Sequence, residues 1–412
     1  MVHIPPELIN LIVAEIPSRS SLERCSLVAS PFRQPCQQRL HRLLKVTTKT
    51  SGRGGRYMHW KDIAKHFRAS PHLVSYVVQL MVEFEAEREV FSDTMKEVLG
   101  QLTSVREVCL IGTMSSFTKP FHSGGAPIIL SWLSSRPRGA TRRLVVEAFP
   151  NIPVSDMHLI YNAAPTLYLR TVGPPSHSQD TPSEAPTTPN SIVNFRAPKY
   201  PTSITTLLLP EFEGYIKGLK HISIEVDPKV YVLQAFYALL CLTKATIESI
   251  AYNEYMPDDW TEYEPTLEVK IGLPGPLPKL THLLVRVEKD YKKGYFEPKW
   301  LIPLVLATIF PASKSPALTC VTVQVFLDLS RSKHCPGPLP TELMKTLDDT
   351  FTQHCNVTAV KWVICDPENA KKKDCEAIFQ AFREALPKIV AKGLLTTERE
   401  ILRKDPLLES RC

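Results

Sequence analysis

Glycine is scarce in this chain, 16 residues in 412, and it forms no phosphate- or dinucleotide-binding fingerprint. Folds whose chemistry depends on glycine loops cradling phosphates are therefore disfavoured. The one glycine-rich stretch, TTKTSGRGGRYMHW at 47–60, lacks the spacing and the terminal lysine-hydroxyl pair of a P-loop. It reads as a hinge.

Other absences narrow the field. The ten cysteines include no C-x-x-C pair and fall mostly inside apolar runs, the usage of reduced, buried thiols in a cytoplasmic or nuclear protein. The twelve histidines are dispersed, with no H-E-x-x-H, and no G-x-S-x-G nucleophile elbow is present. Acidic pairs such as Asp258-Asp259 and Asp348-Asp349 lie in polar segments and read as solvated carboxylates. No catalytic residue, metal ligand set or cofactor is expected, and the chain reads as a non-enzyme.

The longest apolar run, WLIPLVLATIF at 300–310, is too short to span a bilayer and contains Pro303. The first residues run into PPEL without a basic region and apolar core, so no secretory leader is expected. With 49 basic and 42 acidic residues, the net charge of +7 is too small and too dispersed to indicate a nucleic-acid partner. Neither membrane nor nucleic acid is an expected partner.

Proline, in contrast, is abundant at 36, while 43% hydrophobic and 22% charged residues sit in the globular range. The first forty residues pack in three amphipathic segments. Pro5 and Pro6 suit a first helical turn, and Leu8, Ile9, Ile12, Val13 and Ile16 share a face before Pro17. Ser20-Ser21-Leu22-Glu23 has capping-box spacing and leads a second stripe, Leu22, Cys25 and Ala29. Ser30-Pro31 opens a third, in which Phe32, Cys36, Leu40, Leu43 and Leu44 repeat at helical spacing. Three helices this short bury little among themselves and leave apolar surface for a partner.

Beyond residue 60 the pattern changes to β-type runs with helical or loop-like material between them. Strands are expected at 76–84, 104–112, 142–149, 165–172, 203–209, 220–226, 247–253, 280–288, 318–327 and 357–365. Most successive starts lie 23 to 39 residues apart, the mark of an irregular repeat with a strand and usually a helix in each unit. The fold class expected is α/β: a helical module over 1–46, a linker over 47–60, and an irregular leucine-rich-repeat-like solenoid of parallel strands and covering helices over 61–396. An open α/β sheet is the alternative that the same alternation permits.

The proline- and serine-rich 173–203 reads as a disordered insertion, and 397–412 as a tail. The spacing from 203 to 220 is too short for a helix, so one defective unit is expected there. Amphipathic 374–395 reads as a capping helix bent or restarted at Pro387. Trp260 and Tyr263, within an acidic insertion, are candidates for a partner surface.

The opening residues, IPPELINLIVAEIPSRSSLERCSLVASPFRQPCQQRLHRLLKV, resemble an F-box. Ile4, Pro5, Glu7 and Leu8 match the start of the family pattern, Ile12 and Ile16 its spaced apolar positions, and Leu22, Leu27 and Val28 its second helix. Phe32 stands where the family usually carries a tryptophan. The remainder is similar in architecture to the F-box-like proteins of mushroom-forming fungi. The resemblance implies a substrate-recognition subunit of an SCF-type cullin-RING ubiquitin ligase. In that reading the ten matched residues bind the Skp-type linker and the array holds an unknown protein substrate. A non-catalytic interaction scaffold with no ligase role is the alternative.

Overall fold

A computed structural model describes residues 4–47, 57–84, 92–112, 125–149, 151–173, 191–197, 202–226, 230–254, 275–288, 301–326, 339, 341–366 and 372–401. The chain divides into two compact units, 1–190 and 191–412. Both are α/β, and every registered strand pair in them is parallel.

The first unit opens with helices α1 (Pro6–Glu15), α2 (Arg19–Val28) and α3 (Ser30–Leu40). Strands β1 (Leu43–Thr47), β2 (Gln79–Glu83), β3 (Glu107–Ile111), β4 (Arg143–Phe149) and β5 (Thr166–Val172) follow, each paired with the next in chain order. Between them run α4 (Trp60–Ala69), α5 (Ser92–Gln101), α6 (Ala126–Ser135) and α7 (Val154–Ala163). The α4 sequence shows why: Trp60, Ile63, Ala64 and Phe67 recur at helical spacing and all four are buried. Strands β2, β3 and β4 are continuous apolar runs, Leu80-Met81-Val82, Val108-Cys109-Leu110 and Leu144-Val145-Val146, and are buried on both faces.

The second unit carries β6 (Asn194–Ala197), β7 (His221–Val226), β8 (Ser249–Glu254), β9 (His282–Glu288), β10 (Cys320–Phe326), β11 (Ala359–Asp366) and β12 (Leu395–Ile401), again paired in chain order. Its helices are α8 (Thr202–Leu207), α9 (Glu213–Ile216), α10 (Val230–Thr243), α11 (Leu301–Thr308), α12 (Thr341–Gln353), α13 (Lys372–Ala385) and α14 (Pro387–Ala391). Here β10 alternates strictly, Val321, Val323 and Val325 buried while Thr322, Gln324 and Phe326 are partly exposed, whereas β11 buries the continuous run Trp362-Val363-Ile364-Cys365.

A recurring junction ties successive strands together. The two amides that open a strand converge on one carbonyl of the preceding repeat: Val78 and Gln79 on Arg42, Arg142 and Arg143 on Arg106, Thr281 and His282 on Glu248, Thr358 and Ala359 on Thr319. In the second unit, threonine hydroxyls extend the ladder, Thr281 to Glu248 O, Thr319 to Thr281 O and Thr358 to Thr319 O. The repeat is thus defined by backbone satisfaction at these junctions, which side chains of many kinds tolerate. Register partners accordingly advance by as few as 23 residues, Arg143 to Thr166, and as many as 39, Cys320 to Ala359.

Five expectations are corrected. Leu43 and Leu44, expected on the third helix, belong to β1, which α3 reaches through His41 and Arg42; residues 48–56 of the expected linker lie outside the described residues. Met58 then pairs with Val46 along the outer edge of β1. Within the expected disordered insertion, residues 194–197 form β6, with Phe195 and Ala197 buried. The segment at 203–209 is helix α8 followed by a 3-10 turn: Ile204 and Leu207 face inward, and the Thr206 hydroxyl donates to Thr202 O at 2.8 Å. With β6 in place of the strand expected at 203, the step from Asn194 to His221 has an ordinary repeat length, and the short unit expected there is not found. At the other end, Pro387 does restart the helix as α14, but Gly393 at φ +68 turns the chain back and residues 395–401 add strand β12. A strand, not the expected capping helix, is the last described element.

Candidate functional site: the outer face of the helical module

The three opening helices build a small core of their own. Ile9 and Val13 of α1, Leu22 of α2 and Cys36 of α3 are buried together, with Ile16, Cys25, Phe32 and Leu40 packed against them. Helix ends explain the local fold. Pro5 and Pro6 start α1 where no amide hydrogen is missed, and Glu7 lies in the positive first turn. The Ser18 hydroxyl caps α2 by accepting from Ser21 N at 3.0 Å. The capping box expected from Ser20 is not formed, because the helix begins two residues earlier, capped by Ser18, and Glu23 accepts from Arg19 at 3.0 Å. The Arg39 guanidinium donates to Val13 O at the end of α1, pinning α3 onto it.

What this core leaves outside is apolar. Ile4, Leu8, Leu11 and Ile12 form a stripe along α1, with Leu8 50% and Leu11 63% exposed. Leu27 and Val28 at the end of α2 are 81% and 78% exposed. Of nine large hydrophobic side chains that stand exposed among the described residues, five lie on these two helices and a sixth, Ile4, just before α1. Scattered apolar exposure is ordinary, but concentration on one small module marks an interaction surface.

The ten residues matched to the F-box pattern therefore separate into two groups. Ile4, Pro5, Glu7, Leu8, Ile12, Leu27 and Val28 are exposed. Leu22 is enclosed in the module's core at 6% exposure, and Ile16 and Phe32 pack against it. Leu11, exposed on the same stripe, was not among the matched positions; its place one turn after Leu8 is the signal that finds it. Trp260 and Tyr263 lie outside the described residues.

The electrostatics of the module are quiet. The Cys36 thiol is pushed up to about 11 by burial and by Cys25 beside it, so it stays protonated. His41, where α3 meets the sheet, is held below the usual imidazole value by burial, by His66 and Arg19, and by His72. The rings of His41 and His66 lie 6.0 Å apart. A cleft of about 450 Å³ between α1, α3 and the 3-10 turn at Pro71–Tyr76 is lined by Arg39, Arg42, Gln38, Asn10, Ser75 and Tyr76 among others, with no acidic or histidine side chain.

A second cleft, about 510 Å³, lies between α12 and the α13–α14 pair, lined by Asp348, Asp349, Glu384, Lys345 and Lys388. Here the sequence reading of solvated carboxylates is corrected. Asp348 is buried, accepting from Lys388 N at 3.0 Å and Ile389 N at 2.8 Å, and so caps the start of α14. Asp349 pairs with the Lys388 ammonium. Both carboxylates hold α12 to α14, and neither cleft joins a hydroxyl or thiol nucleophile to a histidine base.

Among the described residues no group of three or more His, Cys, Asp or Glu side chains is placed to hold a metal ion. No described helix is long and apolar enough to cross a membrane. No protein-family model matches the chain, and no curated protein matches it.

Proposed function

We propose that the chain is a substrate-recognition adaptor of an SCF-type ubiquitin ligase, with no catalytic step of its own. The helical module docks on the Skp-type linker, and the two α/β units, read as an irregular leucine-rich-repeat-like solenoid, present a protein substrate. The observation that carries this reading is the exposed apolar stripe of α1 together with Leu27 and Val28, on a module whose core is otherwise closed. Helices with a spare apolar face dock into a groove of a partner, and those side chains supply the anchors. The direct passage of α3 into β1 serves the same role mechanically. A rigid join fixes the distance from docked helices to presented substrate, and proximity is what an adaptor contributes.

The placement of Phe32 favours the second reading, a scaffold without a ligase role. Where the F-box pattern has a tryptophan, this chain has a smaller ring that packs into the module's own core. The two readings part at one experiment: co-purification of the full chain with a Skp-type linker, repeated with Leu8→Ala and Leu27→Ala. Retention by the wild type and loss in the variants supports the adaptor. Absence of linker from the wild-type preparation leaves the scaffold.

A further inference from the structure

The second unit carries a guanidinium on its sheet that no carboxylate pairs among the described residues. Arg286 sits mid-way along β9, in register with Asn253 on β8 and Gln324 on β10. The adjacent positions Tyr252, Val285 and Val323 are buried, and Tyr252 meets Phe236 of α10 edge-on at 5.5 Å. Arg286 and its two neighbours therefore occupy the opposite face of the sheet.

There Arg286 is held by neutral groups. Its Nη1 donates to Asn253 Oδ1 at 2.9 Å and its Nε to Gln324 Oε1 at 2.6 Å. The amides are themselves fixed. Asn253 Nδ2 donates to Ser223 Oγ and to Ile224 O, both at 3.0 Å, and Gln324 Nε2 to Glu400 Oε2 at 3.1 Å. Two carboxylates that act on it are engaged elsewhere: Glu225 with Arg196 at 3.5 Å, Glu400 with Gln324 and with the Cys365 thiol at 3.6 Å. Burial, and then Arg196, hold the Arg286 guanidinium below its usual pKa, while Cys365, Glu400 and Glu225 act in the opposite sense. The charge is thus partly desolvated and oriented on both sides, with three of its five hydrogen-bond donors unspent among the described residues.

We infer that Arg286, framed by Asn253 and Gln324, is a recognition site for an aspartate or glutamate side chain of a partner polypeptide lying across this face. A guanidinium fork matches a carboxylate bidentately, and one pre-set by two amides loses little freedom when the acid arrives. A side-chain carboxylate, rather than a chain terminus, suits a fork set among side chains, since terminal carboxylates are captured by backbone amide nests. The site is independent of the docking reading, because nothing in it involves the helical module.

The test uses the full chain and dye-labelled, terminally amidated hexaglutamate and hexaglutamine, compared by fluorescence anisotropy at low salt. The expected result is a preference for hexaglutamate of at least about tenfold, abolished in Arg286→Gln and reduced several-fold in Arg286→Lys, which keeps the charge and loses the fork. Gln324→Leu, which frees one side of the fork, weakens hexaglutamate binding without changing the weak binding of hexaglutamine. Equal binding of the two peptides by the wild type overturns the inference. So does a preference that survives in Arg286→Gln or is untouched in Arg286→Lys, with thermal unfolding of each variant confirming the folded chain.

Discussion

Truncating Leu27 separates docking from folding more cleanly than any other change in the module. At 81% exposure its side chain has almost no neighbours to lose, so Leu27→Ala shifts unfolding by no more than about 0.5 kcal/mol. Burying a leucine fully is worth about 1.5–3 kcal/mol. Loss of most of that at an interface weakens association by about 1–2 kcal/mol, roughly 5- to 30-fold in Kd. Leu22, five residues earlier on the same helix and 6% exposed, has the opposite signature: Leu22→Ala opens a cavity and costs about 2–5 kcal/mol of stability. Denaturant titration and linker-binding calorimetry on both variants read the two quantities separately. If Leu27→Ala destabilises the chain as Leu22→Ala does, or leaves linker affinity unchanged, the division into inner core and outer docking face is wrong.

Further outcomes follow from other parts of the fold. Asp348→Ala removes both acceptors from the start of α14 and should cost about 1–3 kcal/mol by denaturant titration; Asp348→Asn, which keeps one acceptor, should cost less. A Cβ at Gly218 would stand 2.5 Å from that of Ser191, so Gly218→Ala should lower Tm, and adding Ser191→Gly should restore most of the loss. Because the folded state holds His41 below its unfolded value, the unfolded chain binds more protons just below pH 6.5, and stability should fall as pH drops through that region. In His41→Gln that decline should be shallower, as followed by Tm between pH 7.5 and 5.

Much of this architecture is legible from residue order, and the exceptions share physical causes. The β-type runs at 76–84, 104–112, 142–149 and 318–327 coincide with β2, β3, β4 and β10, because strands buried on one or both faces must be apolar at fixed intervals. Strand β6 escapes notice since only Phe195 and Ala197 point inward, in a neighbourhood whose composition suggests disorder. Strand β12, LTTEREI, reads as a polar tail for a related reason: among the described residues it pairs on one side only, and charge on such an edge discourages further pairing. In SITTLLL, β-branched residues suggest a strand, yet hydroxyls bonding back to Thr202 O stabilise a helical turn.

The candidate sites divide in the same way. The α1 stripe is local, so helical spacing reveals it, although spacing alone does not say that Leu8 faces out while Ile9 faces in. Asp348 and Arg286 act through partners about 30 to 40 residues away, on other elements. Their roles depend on register and on where α14 begins, which a single pass along the chain does not supply.

The central claim rests on whether the module's outer face has the partner its chemistry suggests. Titration calorimetry of the full chain against a purified Skp-type linker tests it most directly. The account predicts one-to-one binding at micromolar Kd or tighter, about −8 kcal/mol or more favourable, weakened in Leu8→Ala and Leu27→Ala. The absence of binding at linker concentrations of about 100 μM, a Kd range worth less than about −5.5 kcal/mol, would contradict it.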